Sequence, residues 1–305
     1  MRYREGGRLD TSGVTDRRGR GGMGGGRGIA VGGGGLGLVG LLIVVVLQLA
    51  GGSGGDAGSA LGSLAGLGEG QQADNRDLEQ RCQSVGDANA SVECAVVADI
   101  DSIQDYWGQT LAGRYTPTDT VFFNGSVQTS CGAASSGSGP FYCPGDQLVY
   151  IDLGFFDDLR QQFGAQGGLF VDAYVLAHEY GHHVQNLLGT NQQVTPGETG
   201  PTSGTVRLEL QADCYAGTWA NHAETVPDAS GQPLITEINS DDIDRALDAA
   251  ARIGDDFIQQ NLGSGRVDQN SFTHGSSEQR QKWFTTGYQT GDPNQCDTFG
   301  TDDLG

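Results

Sequence analysis

The sequence predicts an α+β domain reached through one membrane-spanning helix. Three observations carry this: an uncharged apolar stretch over 29–50, short β-branched and aromatic runs between residues 121 and 153, and helix-period runs from Leu169 onward. A small sheet leading into several helices is an α+β arrangement. With 305 residues the chain can build one substantial core.

Up to Arg27 the composition is Arg/Gly-rich, with Arg2, Arg4, Arg8, Arg17, Arg18, Arg20 and Arg27 against Glu5, Asp10 and Asp16. Residues 1–28 therefore read as a basic, unfolded tail. No charge interrupts 29–50, and Leu36 to Leu47 is wholly Leu, Val, Ile and Gly, which suits a span of about 20 residues. The basic flank lies N-terminal, so the positive-inside bias keeps the tail cytoplasmic and sends the remainder across the cell membrane. A cleaved signal peptide fits less well, because Gln48 stands where a small residue is needed. Residues 51–75 open with Gly51-Gly52-Ser53-Gly54-Gly55 and read as a flexible tether, leaving 76–305 as the folded domain. The formal charge of the chain is -21 and Lys282 is its only lysine, which excludes nucleic acid as a partner.

Within the domain, Ile103, Tyr106, Trp107 and Leu111 mark a first helix by their spacing. Val121-Phe122-Phe123 and Val127-Gln128-Thr129 flank Asn124-Gly125 and read as a hairpin. Leu148 to Leu153 predicts a further strand and Phe155 to Phe163 a short helix. The longest apolar helical run extends from Leu169 to Leu188 and meets a stop at Gly189. Further helices are predicted from about Val206 to Ala223, from Ser240, and from Ser276, where Gln279 completes a capping-box pattern.

Six cysteines, Cys82, Cys94, Cys131, Cys143, Cys214 and Cys296, all follow the apolar stretch, as a disulfide framework on the translocated side would show. Six cysteines allow fifteen pairings, so connectivity stays open. Sequence proximity suggests Cys82 with Cys94 and Cys131 with Cys143, leaving Cys214 for Cys296. No CxxC pair supports a cysteine metal site.

The chemistry lies on the apolar helix. His178-Glu179-Tyr180-Gly181-His182 places two imidazoles four residues apart on one helix face, where they can share a zinc ion, with Glu179 beside it as general base. His183 lies about 100° further round and reads as a packing or surface residue. A catalytic zinc takes a third protein ligand, and Glu209 on the next helix offers one. Asp213, four residues on, then accepts the N–H of a ligand histidine and fixes its tautomer. His222, nearly four turns beyond Glu209, is the rival third ligand.

These residues resemble the bacterial neutral zinc metallopeptidases, single-span proteins with one catalytic domain. The resemblance runs from about Leu78 to Phe299. It is carried by Thr129-Ser130-Cys131-Gly132, Gly139 to Pro144, Ala177 to Gln185, Glu209 to Cys214, Thr273-His274-Gly275 and Cys296-Asp297-Thr298-Phe299. It implies a zincin-like peptidase fold in which two helix histidines and a downstream glutamate hold one Zn²⁺. More distantly, Thr273-His274-Gly275 with Arg280 is similar to the Thr-His-Pro and following Arg of integral-membrane CAAX-type zinc proteases, with Gly275 in place of the proline. That likeness implies His274 as a catalytic oxyanion donor and Arg280 as a support for the acidic residues behind the metal.

The expected activity is hydrolysis of a peptide or protein substrate, with Val121 to Phe123 as a candidate edge strand to align it. Two other classes use the same residues: a zinc amide hydrolase acting on a non-peptide substrate, and a membrane-tethered scaffold whose zinc is structural. A structural zinc site is usually closed by four protein ligands, and no fourth is evident here.

Overall fold

The computed structural model describes residues 1–18 and 75–305. The expected span, 29–50, lies outside them; among the described residues no helix is long and apolar enough to cross a membrane. The chain opens with two short strands, β1 (Arg2–Tyr3) and β2 (Val14–Asp16). After residue 75 come α1 (Arg76–Arg81) and α2 (Val92–Thr110). A β-rich stretch follows: β3 (Thr120–Phe122), β4 (Ser126–Thr129), β5 (Gly132–Ser135), β6 (Phe141–Cys143) and β7 (Leu148–Ile151). The rest is largely helical: α3 (Phe155–Gln161), α4 (Leu169–Leu188), α5 (Gly204–His222), strand β8 (Ile235–Glu237), α6 (Ser240–Arg252), α7 (Asp255–Asn261) and α8 (Ser277–Thr290).

The α+β expectation holds, but two local readings are corrected. Residues 1–18 are not a solvated tail. Tyr3, Leu9 and Val14 are buried in the main core, β1 pairs antiparallel with β8, and β2 pairs in parallel with β3. The composition misleads because only three widely spaced apolar residues enter the core, while Arg4 between them points to the surface partner Asp228.

The second correction concerns Asn124-Gly125, which does not close a hairpin between its flanking runs. β3, buried throughout, is an interior strand of a four-stranded sheet of order β2-β3-β7-β6, parallel to both neighbours. β4 pairs instead with β5, register Val127↔Ala134. An interior strand has no free edge, so Val121 to Phe123 cannot align a substrate. Among the described residues the outer strand on that side of the sheet is β6, which runs antiparallel to β7 and is itself buried.

The sheet packs on α4, buried along most of its length through residues such as Phe170, Tyr174, Tyr180 and Val184. Gly189, at φ +75°, ends this helix in the left-handed conformation that glycine adopts without strain. α5 lies across α4, and α8 packs closely on α5. Both crossings need glycine. A Cβ on Gly181 would meet the Ala212 Cα at 3.0 Å, and one on Gly287 would overlap the Cys214 carbonyl. These approaches set α4, α5 and α8 close enough for their polar side chains to meet. Ser276 and Gln279 form the expected capping box at the start of α8.

The disulfides are Cys82–Cys94, Cys131–Cys143 and Cys214–Cys296, as proximity suggested. The last ties the C-terminal segment to α5.

Candidate metal centre

His178 and His182 stand one turn apart on α4, and Glu209 faces them from α5. Each offers one donor atom, and the three atoms lie within 4.8 Å of one another. His178 Nε2 is 3.2 Å from His182 Nε2 and 3.2 Å from Glu209 Oε2, while His182 Nε2 is 3.5 Å from Glu209 Oε1. Atoms about 2.0–2.1 Å from a common tetrahedral zinc would be separated by about 3.4 Å, so the spacing fits one ion.

The hydrogen bonds behind the ring supply the deciding chemistry. His178 Nδ1 faces Asp213 Oδ1 at 2.8 Å, and that carboxylate also receives Arg280 Nε and Nη2 at 2.9 and 3.0 Å. Asp213 is thus an ionised acceptor, and His178 carries its proton on Nδ1. His182 Nδ1 lies 2.8 Å from Gln185 Oε1. The Gln185 amide nitrogen is committed to the Leu208 carbonyl at 2.7 Å, which turns its oxygen to His182 and makes Nδ1 the donor there too. Both Nε2 atoms are therefore the ring positions that face each other and a carboxylate, and they can present lone pairs to a bound cation. Three acceptors converging without a proton between them repel, and a cation relieves that.

The titration behaviour agrees. Burial opposes charging His178, yet Asp213 and Glu209 outweigh it and hold the imidazole at about 10. Burial likewise works against an ionised Glu209, but His182, His274 and His178 keep its carboxyl well below the ordinary range. A negative field of this strength attracts a proton when nothing better is present.

Glu179 points into the same cleft. Burial, reinforced by Glu209, raises its carboxyl to about 7, with His178 and a hydrogen bond from the Tyr142 main chain pulling the other way. His274 lies across the cleft. Its turn is held by Asp255 Oδ2, which accepts the amides of Thr273, His274 and Gly275 at 2.7, 2.7 and 3.0 Å. Burial lowers the tendency of His274 to protonate, but Glu209 and Asp255 prevail and raise it above its ordinary value.

Other predicted residues fall elsewhere. His222 stacks on Tyr106 and faces the Gly291 carbonyl at 3.0 Å, outside the donor group. His183 is a buried clamp rather than a surface residue, set between the Tyr142 hydroxyl at 3.1 Å and the Thr116 carbonyl at 2.7 Å. Sequence reasoning missed Tyr174, whose hydroxyl donates to Asp213 Oδ1 at 2.6 Å, as well as Gln185 and Asp255. The signal was helical spacing: Tyr174 precedes His178 by one turn, and Gln185 follows His182 by three residues.

A cleft of about 1610 Å³ opens over these groups, lined also by Phe141, Tyr142, Phe155 and Ile258. The family model described as "Putative neutral zinc metallopeptidase" matches residues 1–299. The chain belongs to this family. Its relatives in the neutral zinc metallopeptidase family include an uncharacterized protein of Mycobacterium tuberculosis (strain ATCC 25618 / H37Rv), 53% identical over 75% of this chain and 78% of its own length. The uncharacterized protein YpfJ of Escherichia coli (strain K12) is 39% identical over 96% of this chain and 98% of its own length. No solved structure matches. The family match includes residues 1–18, in keeping with their place in the core.

Proposed function

We propose that the chain is a zinc-dependent peptidase of zincin-like fold, with His178, His182 and Glu209 as ligands and Glu179 as general base. The observation that supports this most is the convergence of two Nδ1-protonated imidazoles and one carboxylate at the floor of an open cleft. Zinc held there would supply Lewis acidity toward a water and a carbonyl oxygen. No fourth protein donor joins the group among the described residues, which favours catalysis over a structural site.

Glu179 takes a proton from the attacking water on a carboxylate oxygen as the new C–O bond forms. It returns that proton to the leaving nitrogen as the C–N bond breaks, so the base is regenerated. His274, whose hold on a proton Glu209 and Asp255 strengthen against the effect of burial, donates to the oxygen on which negative charge develops. Asp213 holds His178 in the working tautomer, and Arg280 keeps Asp213 ionised where burial alone would neutralise it. β6, the outer strand of the sheet among the described residues, borders the cleft through Phe141 and Tyr142, and a strand at that place suits an extended peptide laid alongside it. A cleft of about 1610 Å³ has room for several residues of a polypeptide on either side of the scissile bond, which supports cleavage within a chain. Three disulfides support an oxidising compartment, and the uncharged stretch 29–50 supports attachment to a membrane.

Zinc titration of Glu209→Ala tests the ligand set. The substitution is expected to abolish tight binding; stoichiometric tight zinc in that variant would move the third ligand elsewhere.

A further inference from the structure

The stems of residues 19–74 meet. The backbone amide of Asp16 donates to Asn75 Oδ1 at 2.8 Å, and Asn75 Nδ2 returns a bond to the Val14 carbonyl at 2.6 Å. Arg18 reaches Glu93 on α2, and the same Glu93 receives Arg81 Nε at 2.8 Å. The chain thus leaves the domain at Arg18 and re-enters beside it at Asn75. These contacts are not superficial. β2 fills an edge of the sheet in register Val14↔Thr120, Arg2 pairs with Glu237, and the buried Tyr3 hydroxyl donates to Asp99 at 2.8 Å.

Two points that touch lie on one side of any bilayer, so the segment joining them crosses it an even number of times or not at all. Between the stems only 29–50 has the length and polarity of a span. Residues 51–74 are Gly-, Ser- and Ala-rich and carry Asp56, Glu69 and Asp74, so they offer no return crossing. A single crossing with residues 1–28 in the cytoplasm, as the positive-inside bias predicts, would tear β1 and β2 out of the domain that contains their partners.

We propose that the face around Arg18, Asn75, Arg81 and Val92 is a membrane-docking surface, and that the chain meets a bilayer there from one side only, the non-cytoplasmic side. The places where the chain leaves and re-enters argue for this occupant: Arg18 and Asn75 lie together on this face, and in the sequence the most apolar stretch of the protein, 29–50, stands between them. Val92, at the first turn of α2 beside Glu93 in the sequence, is one of four large apolar side chains left exposed among the described residues, at 42%. The three disulfides fix the side as an oxidising one. β2 and β6 are opposite edges of the sheet, about 14 Å apart at the usual strand spacing, so the surface and the cleft are separate and neither depends on the other.

The test is labelling of the full chain in spheroplasts with a membrane-impermeant maleimide, using Ser12→Cys before the apolar stretch and Ala229→Cys after it, both at exposed positions. Membrane and soluble fractions are collected from the same cells. The expected result is labelling of both cysteines without lysis, to similar extents, with the chain in the membrane fraction. Protection of Ser12→Cys while Ala229→Cys reacts would show a single crossing and overturn the proposal. Protection of both, or labelling of both with the chain soluble, would also overturn it, the first in its compartment and the second in its partner.

Discussion

Gly287 on α8 lies against the main-chain carbonyl of Cys214 on α5 with no room for a side chain between them. Gly217 faces α8 in the same crossing, and the two glycines bring the helices close enough for Arg280 to reach Asp213. A backbone contact near one end of α8 thereby controls an ion pair near its other end.

Gly287→Ala should force the helices apart. Overpacking of this kind costs about 1–3 kcal/mol, and the Arg280–Asp213 geometry suffers with it. The expected outcome is a lower denaturant midpoint together with weaker zinc binding. Wild-type zinc affinity in a destabilised variant would separate the crossing from the site.

Arg280→Leu should be among the most damaging single changes, because it strands a buried carboxylate behind His178. Arg280 is 3% exposed and Asp213 fully buried, a setting in which losing one partner costs about 3–5 kcal/mol. Arg280→Leu combined with Asp213→Leu should recover much of the stability without recovering zinc affinity. Urea unfolding and zinc titration on the wild type and the two variants measure this; a double variant no more stable than Arg280→Leu would contradict it.

Reduction of Cys214–Cys296 should act on the site before the fold. The bridge closes a loop with a sequence separation of 82, for which chain entropy gives about 4 kcal/mol of stabilisation, although the origin of that term is disputed. The Cys296 carbonyl also accepts from Gln211, which meets Gln185, the partner of His182. Cys296→Ser is therefore expected to lose zinc and activity under conditions where circular dichroism is still native. Simultaneous loss of all three would argue against this link.

The acid limb of activity should lie above the ordinary carboxylate range. Burial raises Glu179 from 4.5 to about 7, and a bound cation favours the ionised form and draws it back down. The base works only when ionised, so kcat/KM should fall as pH drops through a midpoint between 4.5 and 7. In metal-free protein the raised pKa has the opposite consequence for stability. The folded state holds this proton more tightly than the unfolded chain, so its contribution is full below pH 4.5 and lost as pH rises through about 7. Glu179→Gln should thus stabilise the metal-free protein at pH 8, by on the order of 1–3 kcal/mol, and not at pH 4. Equal effects at both pH values would refute the shift.

Much of the site is written in local spacing. Two histidines four apart, and Glu209 with Asp213 four apart, are helix-face patterns that tertiary structure only brings together. Arg280 came from a resemblance, since nothing local ties it to a carboxylate 67 residues earlier. Tyr174 and Gln185 were legible as helix-face neighbours, but tyrosine and glutamine have many other uses. The N-terminal strands were not legible. Their partners lie at Thr120 and Ile235, their apolar residues have no period, and their arginines suggest a solvated tail. β3 was misplaced for a related reason: Asn124-Gly125 is a strong hairpin signal, yet β3 pairs in parallel with β2 and β7, partners distant in sequence that no turn chemistry reveals.

The central claim is that Glu179 is the base of a zinc site built from His178, His182 and Glu209. The most direct measurement is zinc stoichiometry and peptide-library cleavage by the full chain, wild type beside Glu179→Gln. Both proteins should bind one zinc, and cleavage by the variant should fall by about 10²–10⁴-fold or more. Near-normal turnover in Glu179→Gln, or no cleavage of any peptide by the zinc-loaded wild type, would contradict the account.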